Sequence, residues 1–125
     1  MAHILVVDDE ASQRTLMRKI LEQEGHQVTL AANGLEALNV VTTHPFELAF
    51  VDLYMPVMDG LEAIPKLLTQ VPELKVVAMS GGLYGGKGID LLRVAEEVGA
   101  TRALPKPFGA HQLTELAAEL VEERS

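Results

Sequence analysis

Five short apolar runs punctuate the chain, and segments with helical spacing fill the intervals between them. The pattern predicts strands over His3 to Asp8, Gln27 to Ala31, Glu47 to Asp52, Lys75 to Ser80 and Arg102 to Leu104. Their near-continuous apolar character is what strands buried on both faces of a parallel sheet require. Leu16, Ile20 and Leu21 form one helical stripe, with Gly25 as its stop, and Leu113, Leu116, Ala117, Leu120 and Val121 form another near the end. Asn33 with Glu36, and Asp59 with Glu62, each read as a capping residue and an acidic partner three positions on. Pro65 falls inside the third helix, where its missing N–H should bend the helix or delay its start. Strand and helix alternate without repeat or linker, which predicts a single doubly wound (βα)5 domain of the α/β class.

Composition narrows the chemistry. At 125 residues and 48% hydrophobic, the chain can bury one real core but not two. The absence of Cys excludes disulfides, zinc–thiolate sites and thiol catalysis. A formal charge of −8 argues against direct nucleic-acid binding, which draws its affinity from Lys and Arg. Met1, Ala2 and His3 lead straight into the first apolar run, and no apolar stretch approaches the ~18 residues that suggest a membrane span. The expectation is a cytoplasmic protein without membrane insertion.

The polar residues at the strand ends then stand out. Asp8 and Asp9 follow the first apolar run, Asp52 ends the third, Ser80 closes the fourth and Lys106 follows the fifth. In an open parallel sheet these carboxyl ends share one edge, the place where such sheets bind ligands. Three carboxylates in one crevice call for a cation, and an all-oxygen ligand set suits Mg2+ (or Mn2+). Together with a hydroxyl and an ammonium they are the parts needed to hold a phosphoryl group in transit.

Val6-Val7-Asp8-Asp9-Glu10, Val51-Asp52-Leu53-Tyr54-Met55-Pro56 with Met58-Asp59-Gly60, Met79-Ser80, Val98-Gly99-Ala100 and Lys106-Pro107-Phe108 resemble the receiver domain of two-component response regulators. The match runs from about His3 to Glu122. Taken singly, each residue has a plainer role as a cap, a strand end, a turn or a solvated charge. Five motifs in order on the right elements are far more specific than any one. The resemblance implies a flavodoxin-like, CheY-like sheet with strand order 2-1-3-4-5. It implies Asp52 as phospho-acceptor, Asp8, Asp9, Asp52 and the Tyr54 backbone carbonyl as metal ligands, and Lys106 and Ser80 as contacts to the phosphoryl group. It further implies a cis peptide bond between Lys106 and Pro107, and a switch that moves the loop and helix surface over residues 80–98. The donor would be a phosphohistidine on a sensor histidine kinase or a histidine phosphotransfer protein, and a downstream effector protein would read the result. On this reading the chain is no enzyme, although it would promote its own aspartyl phosphorylation and dephosphorylation. Residues 1–125 are expected to be one receiver domain with its core over about 3–122 and no output domain, acting alone or as a piece of a larger regulator.

Two departures from the receiver pattern are visible. Ala103 occupies the position, three before Lys106, where receivers commonly carry Tyr or Phe, so output is expected to rely on the Ser80 loop and the fourth helix. Gly81-Gly82-Leu83-Tyr84-Gly85-Gly86-Lys87-Gly88 is longer than the usual connection and is expected to be a flexible partner-facing segment, with Leu83 and Tyr84 as anchors. It superficially fits a P-loop, but Gly88 stands where Ser or Thr would bind the metal. Tyr54 and Gly82 would border the path of the hydrolytic water, one shielding it and the other leaving it open. His3, His26, His44 and His111 fall on different elements without metal-ligand spacing, which suggests surface or loop roles. Two other classes compete. A Mg2+-dependent aspartate phosphatase wants a second acid two residues after the nucleophile, where Tyr54 stands. A flavin carrier would place its phosphate loop after the first strand, where Asp8, Asp9 and Glu10 repel phosphate.

Overall fold

The computed structural model describes residues 2–81 and 91–122. Strands and helices alternate as β1 (His3–Val7), α1 (Ala11–Gln23), β2 (Gln27–Ala31), α2 (Gly34–Val40), β3 (Leu48–Asp52), α3 (Gly60–Gln70), β4 (Lys75–Ser80), α4 (Leu91–Val98), β5 (Arg102–Pro105) and α5 (Ala110–Glu122). All pairings are parallel and the sheet order is β2-β1-β3-β4-β5, as expected. β1 and β3 are therefore central neighbours. Their ends, and that of β4, lie side by side at one edge.

Alternate residues of each strand feed two cores, one on each face of the sheet. Leu5, Val7, Ala49, Val51, Val76 and Ala78 point to one side, where Ala37, Ile64, Leu67 and Ala95 of α2, α3 and α4 cover them. Ile4, Val6, Leu48, Phe50, Val77 and Met79 point to the other, against Met17 and Leu21 of α1 and Leu113, Ala117 and Leu120 of α5. A sheet buried on both faces explains why its strands read as unbroken apolar runs.

Several local expectations hold and some need correcting. Gly25 adopts φ +91 just past the end of α1, the left-handed conformation that ends helices. Asn33 and Asp59 accept hydrogen bonds from the Glu36 and Glu62 amides at 2.9 and 3.0 Å, so both caps form. On α1, however, the inward face is Met17 and Leu21, while Leu16 is 52% exposed and Ile20 only half-buried. Met17 and Leu21 are one turn apart and pack on the sheet; Leu16, a third of a turn aside, faces a groove instead. Pro65 does not delay α3, which begins at Gly60 and runs through it with the proline ring on the exposed side. His3 and His44, far apart in sequence, meet at the other end of the sheet with ring centroids 4.5 Å apart, and both pack on Phe46. Burial first, and His44 second, lower the pKa of His3.

Gly60 ties the start of α3 to the end of β3. Its N–H donates to the Leu53 carbonyl at 3.0 Å, and an added Cβ would lie 2.3 Å from the Asp52 carbonyl oxygen. No rotamer can relieve a clash with backbone. Gly60→Ala is expected to lower stability in urea denaturation by about 2 kcal/mol or more, whereas Gly81→Ala, with open space at its Cβ, should stay within about 0.5 kcal/mol.

Candidate functional site

Strand ends place the polar residues. Asp8 leaves β1 fully buried, its amide donating to the Ala31 carbonyl at 3.1 Å, and its Oδ1 accepts the Glu10 amide at 3.0 Å. Arg14, on the first turns of α1, donates to the Asp8 carbonyl at 2.7 Å and fixes this corner from the helix side. Asp52, the last residue of β3, is 6% exposed, and its Oδ1 accepts the Tyr54 amide at 3.0 Å. Lys106 follows β5, where its amide donates to the Ser80 carbonyl at 2.8 Å. These backbone bonds set the positions from which the side chains converge.

The Lys106 ammonium lies 2.7 Å from Asp8 Oδ2 and 2.7 Å from Asp52 Oδ2. Asp9 is exposed but close: carboxylate oxygens of Asp8, Asp9 and Asp52 lie within 4.8 Å of one another. Ser80 is buried, and its Oγ has no hydrogen-bond partner among the described residues. The structure thus brings together Asp8, Asp9, Asp52, Ser80 and Lys106. Tyr54 enters through its amide and keeps a half-exposed ring on the rim. The Lys106–Pro107 bond is cis, as the receiver pattern implies. Ala103 is half-buried against the core and pairs with Ala78 across the sheet, so no aromatic ring stands there. Gly82, Leu83, Tyr84 and the rest of that segment through Gly88 lie outside the described residues.

Two contacts were not foreseen. Lys106 spans two carboxylates rather than one, and Arg14 braces the Asp8 carbonyl. A cation six residues after Asp8 is a weak signal, since most helix-surface arginines are simply solvated.

Electrostatics follow from burial. Burial raises the Asp52 pKa from 3.8 to about 6, with the Asp8 and Asp9 charges adding to the rise and the Lys106 contact opposing it. Burial acting alone would lower the Lys106 pKa, but its hydrogen bonds to Asp52 and Asp8 outweigh this and hold it above the usual lysine value. Among the described residues the Lys106 ammonium alone is paired with these three carboxylates, so negative charge is left over for a further cation. The donor set is all oxygen and suits a hard divalent ion. The buried Ser80 hydroxyl at the end of β4 has no partner among the described residues, a donor left to be satisfied by something other than their own groups.

Comparisons with known proteins agree with this geometry. A family model for the response regulator receiver domain matches residues 4–118. Sporulation initiation phosphotransferase F of Bacillus subtilis is 31% identical over 122 residues, covering 98% of this chain and 95% of that protein. A protein-glutamate methylesterase/protein-glutamine glutaminase of Rhodospirillum centenum is 37% identical over 113 residues, but the match spans only 28% of its length. Among solved structures, the receiver domain of NtrX from Brucella abortus has a TM-score of 0.85 at 34% identity, covering 95% of this chain and 98% of that one. A CheY-like receiver domain protein from Methanospirillum hungatei has a TM-score of 0.85 at 28% identity, covering 99% and 97%.

A carboxylate whose pKa rises on folding costs stability when ionised. The cost is absent below pH 3.8, grows as the unfolded chain ionises and is complete above about pH 6. Asp52→Asn is therefore expected to stabilise the metal-free protein at pH 7 by about 1–3 kcal/mol in chelator-treated denaturant titrations. The gain should shrink toward zero as the pH is lowered from 6 to below 4.

Proposed function

The chain belongs to the response regulator receiver domain family, and from that premise we propose that the Asp52 carboxylate accepts a phosphoryl group from a phosphohistidine on a partner protein. The partner is a sensor histidine kinase or a histidine phosphotransfer protein. One Asp52 oxygen attacks phosphorus, the P–N bond to the donor imidazole breaks, and the product is an acyl phosphate. Water later attacks that phosphorus and returns the carboxylate and inorganic phosphate. Half-ionised near pH 6, Asp52 is mostly anionic at neutral pH and needs no general base.

The single observation that carries this reading is the buried Ser80 Oγ, without a partner among the described residues, on the residue whose own carbonyl accepts the Lys106 amide. A hydroxyl left without a partner costs about 1–3 kcal/mol, a cost recovered once a phosphoryl oxygen accepts its proton. Lys106, already 2.7 Å from Asp52, is placed to pair with the phosphoryl charge. Asp8, Asp9, Asp52 and the Tyr54 backbone carbonyl would hold Mg2+ (or Mn2+), which when bound offsets negative charge on the phosphoryl oxygens. Movement of Ser80 toward the modified aspartate would reposition the surface over residues 80–98 for an effector protein.

We assign this role to residues 1–125 as one receiver unit, with its core over about 3–122, acting in the cytoplasm through protein contacts. Among the described residues no helix is long and apolar enough to cross a membrane.

Incubation with acetyl phosphate and Mg2+ should give a single phosphate adduct by mass spectrometry. Asp52→Asn and chelator should each abolish it, and Lys106→Ala and Ser80→Ala should slow its formation about tenfold or more. An adduct that persists in Asp52→Asn would place the acceptor elsewhere.

A further inference from the structure

Four large apolar side chains stand exposed among the residues whose side chains are described, and each lies on the helix or loop that follows β1, β2 or β3. Leu16 lies in the groove beside Lys106 and Phe108. The other three lie away from that groove: Leu35 on the first turn of α2, and Tyr54 and Val57 in the loop between β3 and α3. Val57 is the most exposed of them, at 76%. It is also strained. Its φ is +70, and the Met58 amide donates to the Pro56 carbonyl at 2.8 Å, closing a γ-turn around it. That hand of γ-turn is rare, and a β-branched residue in the left-handed region is an outlier.

Asn or Gly would fit this turn at lower cost and meet water more favourably. Val57 therefore forgoes both backbone ease and burial, and such a combination beside a reactive site suggests use. The Gly34 amide donates to the Met58 carbonyl at 2.8 Å, and a Cβ on Gly34 would meet Met58 Cγ and Ala63 Cβ. The first turn of α2 is thereby held against the loop, and Leu35 and Val57 share one fixed edge.

We propose that Leu35 and Val57 form a docking edge for the protein that exchanges the phosphoryl group with Asp52, with Val57 as the anchor that enters an apolar pocket on that partner. This rests on Asp52 as the phospho-acceptor. Asp52 is only 6% exposed, so a phosphohistidine on a protein reaches it only when that protein's surface closes over the rim. A small acyl phosphate needs the pocket alone and gains nothing from an apolar rim. A second copy of this chain is the wrong occupant, because it would bring together two pockets of excess negative charge on chains of net charge −8.

The test separates docking from chemistry. Val57→Thr keeps the volume, the β-branch and the strained turn but replaces a methyl group with a hydroxyl. Leu35→Gln trims apolar surface without touching the loop. The protein donor is a phosphorylated histidine phosphotransfer domain chosen because it labels the wild-type chain, run in parallel with acetyl phosphate. Each variant is expected to lose about five- to tenfold in the second-order rate constant with the protein donor while labelling with acetyl phosphate within about twofold of wild type. Unchanged rates with the protein donor overturn the proposal. Equal losses with both donors overturn it too, since the edge would then shape the pocket rather than dock a partner. No adduct on wild-type Asp52 with acetyl phosphate removes the phospho-acceptor reading itself, an outcome distinct from loss of the docking edge alone.

Discussion

The Lys106 ammonium, 2.7 Å from both Asp8 and Asp52, is the contact on which the pocket's geometry depends. Two like charges 4 Å apart repel by about 4 kcal/mol at an effective dielectric constant near 20, and here a third carboxylate lies within reach. Without a cation between them, the ends of β1 and β3 would carry buried charge that the sheet could relieve only by protonation or by distortion. Lys106 comes from β5, two strands away from β3, and its amide is bonded to the Ser80 carbonyl at the end of β4. One residue thus joins the ends of four strands. The pocket stays poised because compensation is incomplete: the Asp52 pKa remains raised to about 6, and excess negative charge is left for an added cation.

That incompleteness has a structural counterpart in Ser80. Its hydroxyl is buried and without a partner among the described residues, a cost that a domain built only for stability would remove with Ala or Val. Gly60 and Val57 carry costs of the same kind. The first lets α3 start directly against the Asp52 carbonyl, and the second holds a γ-turn that disfavours its own side chain. All of these lie within one crevice and its rim, while the two cores beneath are closely packed and apolar. The division suits a domain in which rigid strands aim reactive groups and the loops bear the strain.

Much of this was legible in the sequence because it rests on local signals. β2 and β4 lie within the predicted bounds, since their apolar runs are bracketed by polar or turn residues. The convergence of Asp8, Asp52, Ser80 and Lys106 follows from strand ends in a parallel sheet and from the receiver motifs. What escaped depends on three-dimensional context. The inward face of α1 turned on choosing Met17 over Leu16, and two adjacent apolar residues give periodicity little to distinguish. The meeting of His3 with His44 and Phe46 needs the return of the chain from α2 to β3. The Val57 turn was invisible because the residue type argues against it. Pro65 leaves the start of α3 at Gly60 because a missing donor on the exposed side of a helix packed through Ala63, Ile64 and Leu67 is outweighed by the burial of those residues.

The relatives show why the same pocket can serve different ends. The match spans 95% of a Bacillus subtilis phosphotransferase and only 28% of a Rhodospirillum centenum methylesterase, so the same kind of sequence makes up nearly all of one relative and a fraction of another that bears a different activity's name. The atoms that would hold the phosphoryl group are all contributed by strand ends, and their positions are dictated by the sheet. Partner choice cannot come from them, because any phosphohistidine presents the same chemistry to Asp52. It must come from side chains that the sheet does not constrain, those on helix surfaces and loops around the rim. In this chain Leu16 stands exposed on α1, and Leu35 and Val57 stand exposed on α2 and on the loop before α3. Specificity would then be a matter of which surface can cover both sides at once, with the negative pocket between them setting the charge that surface must bring.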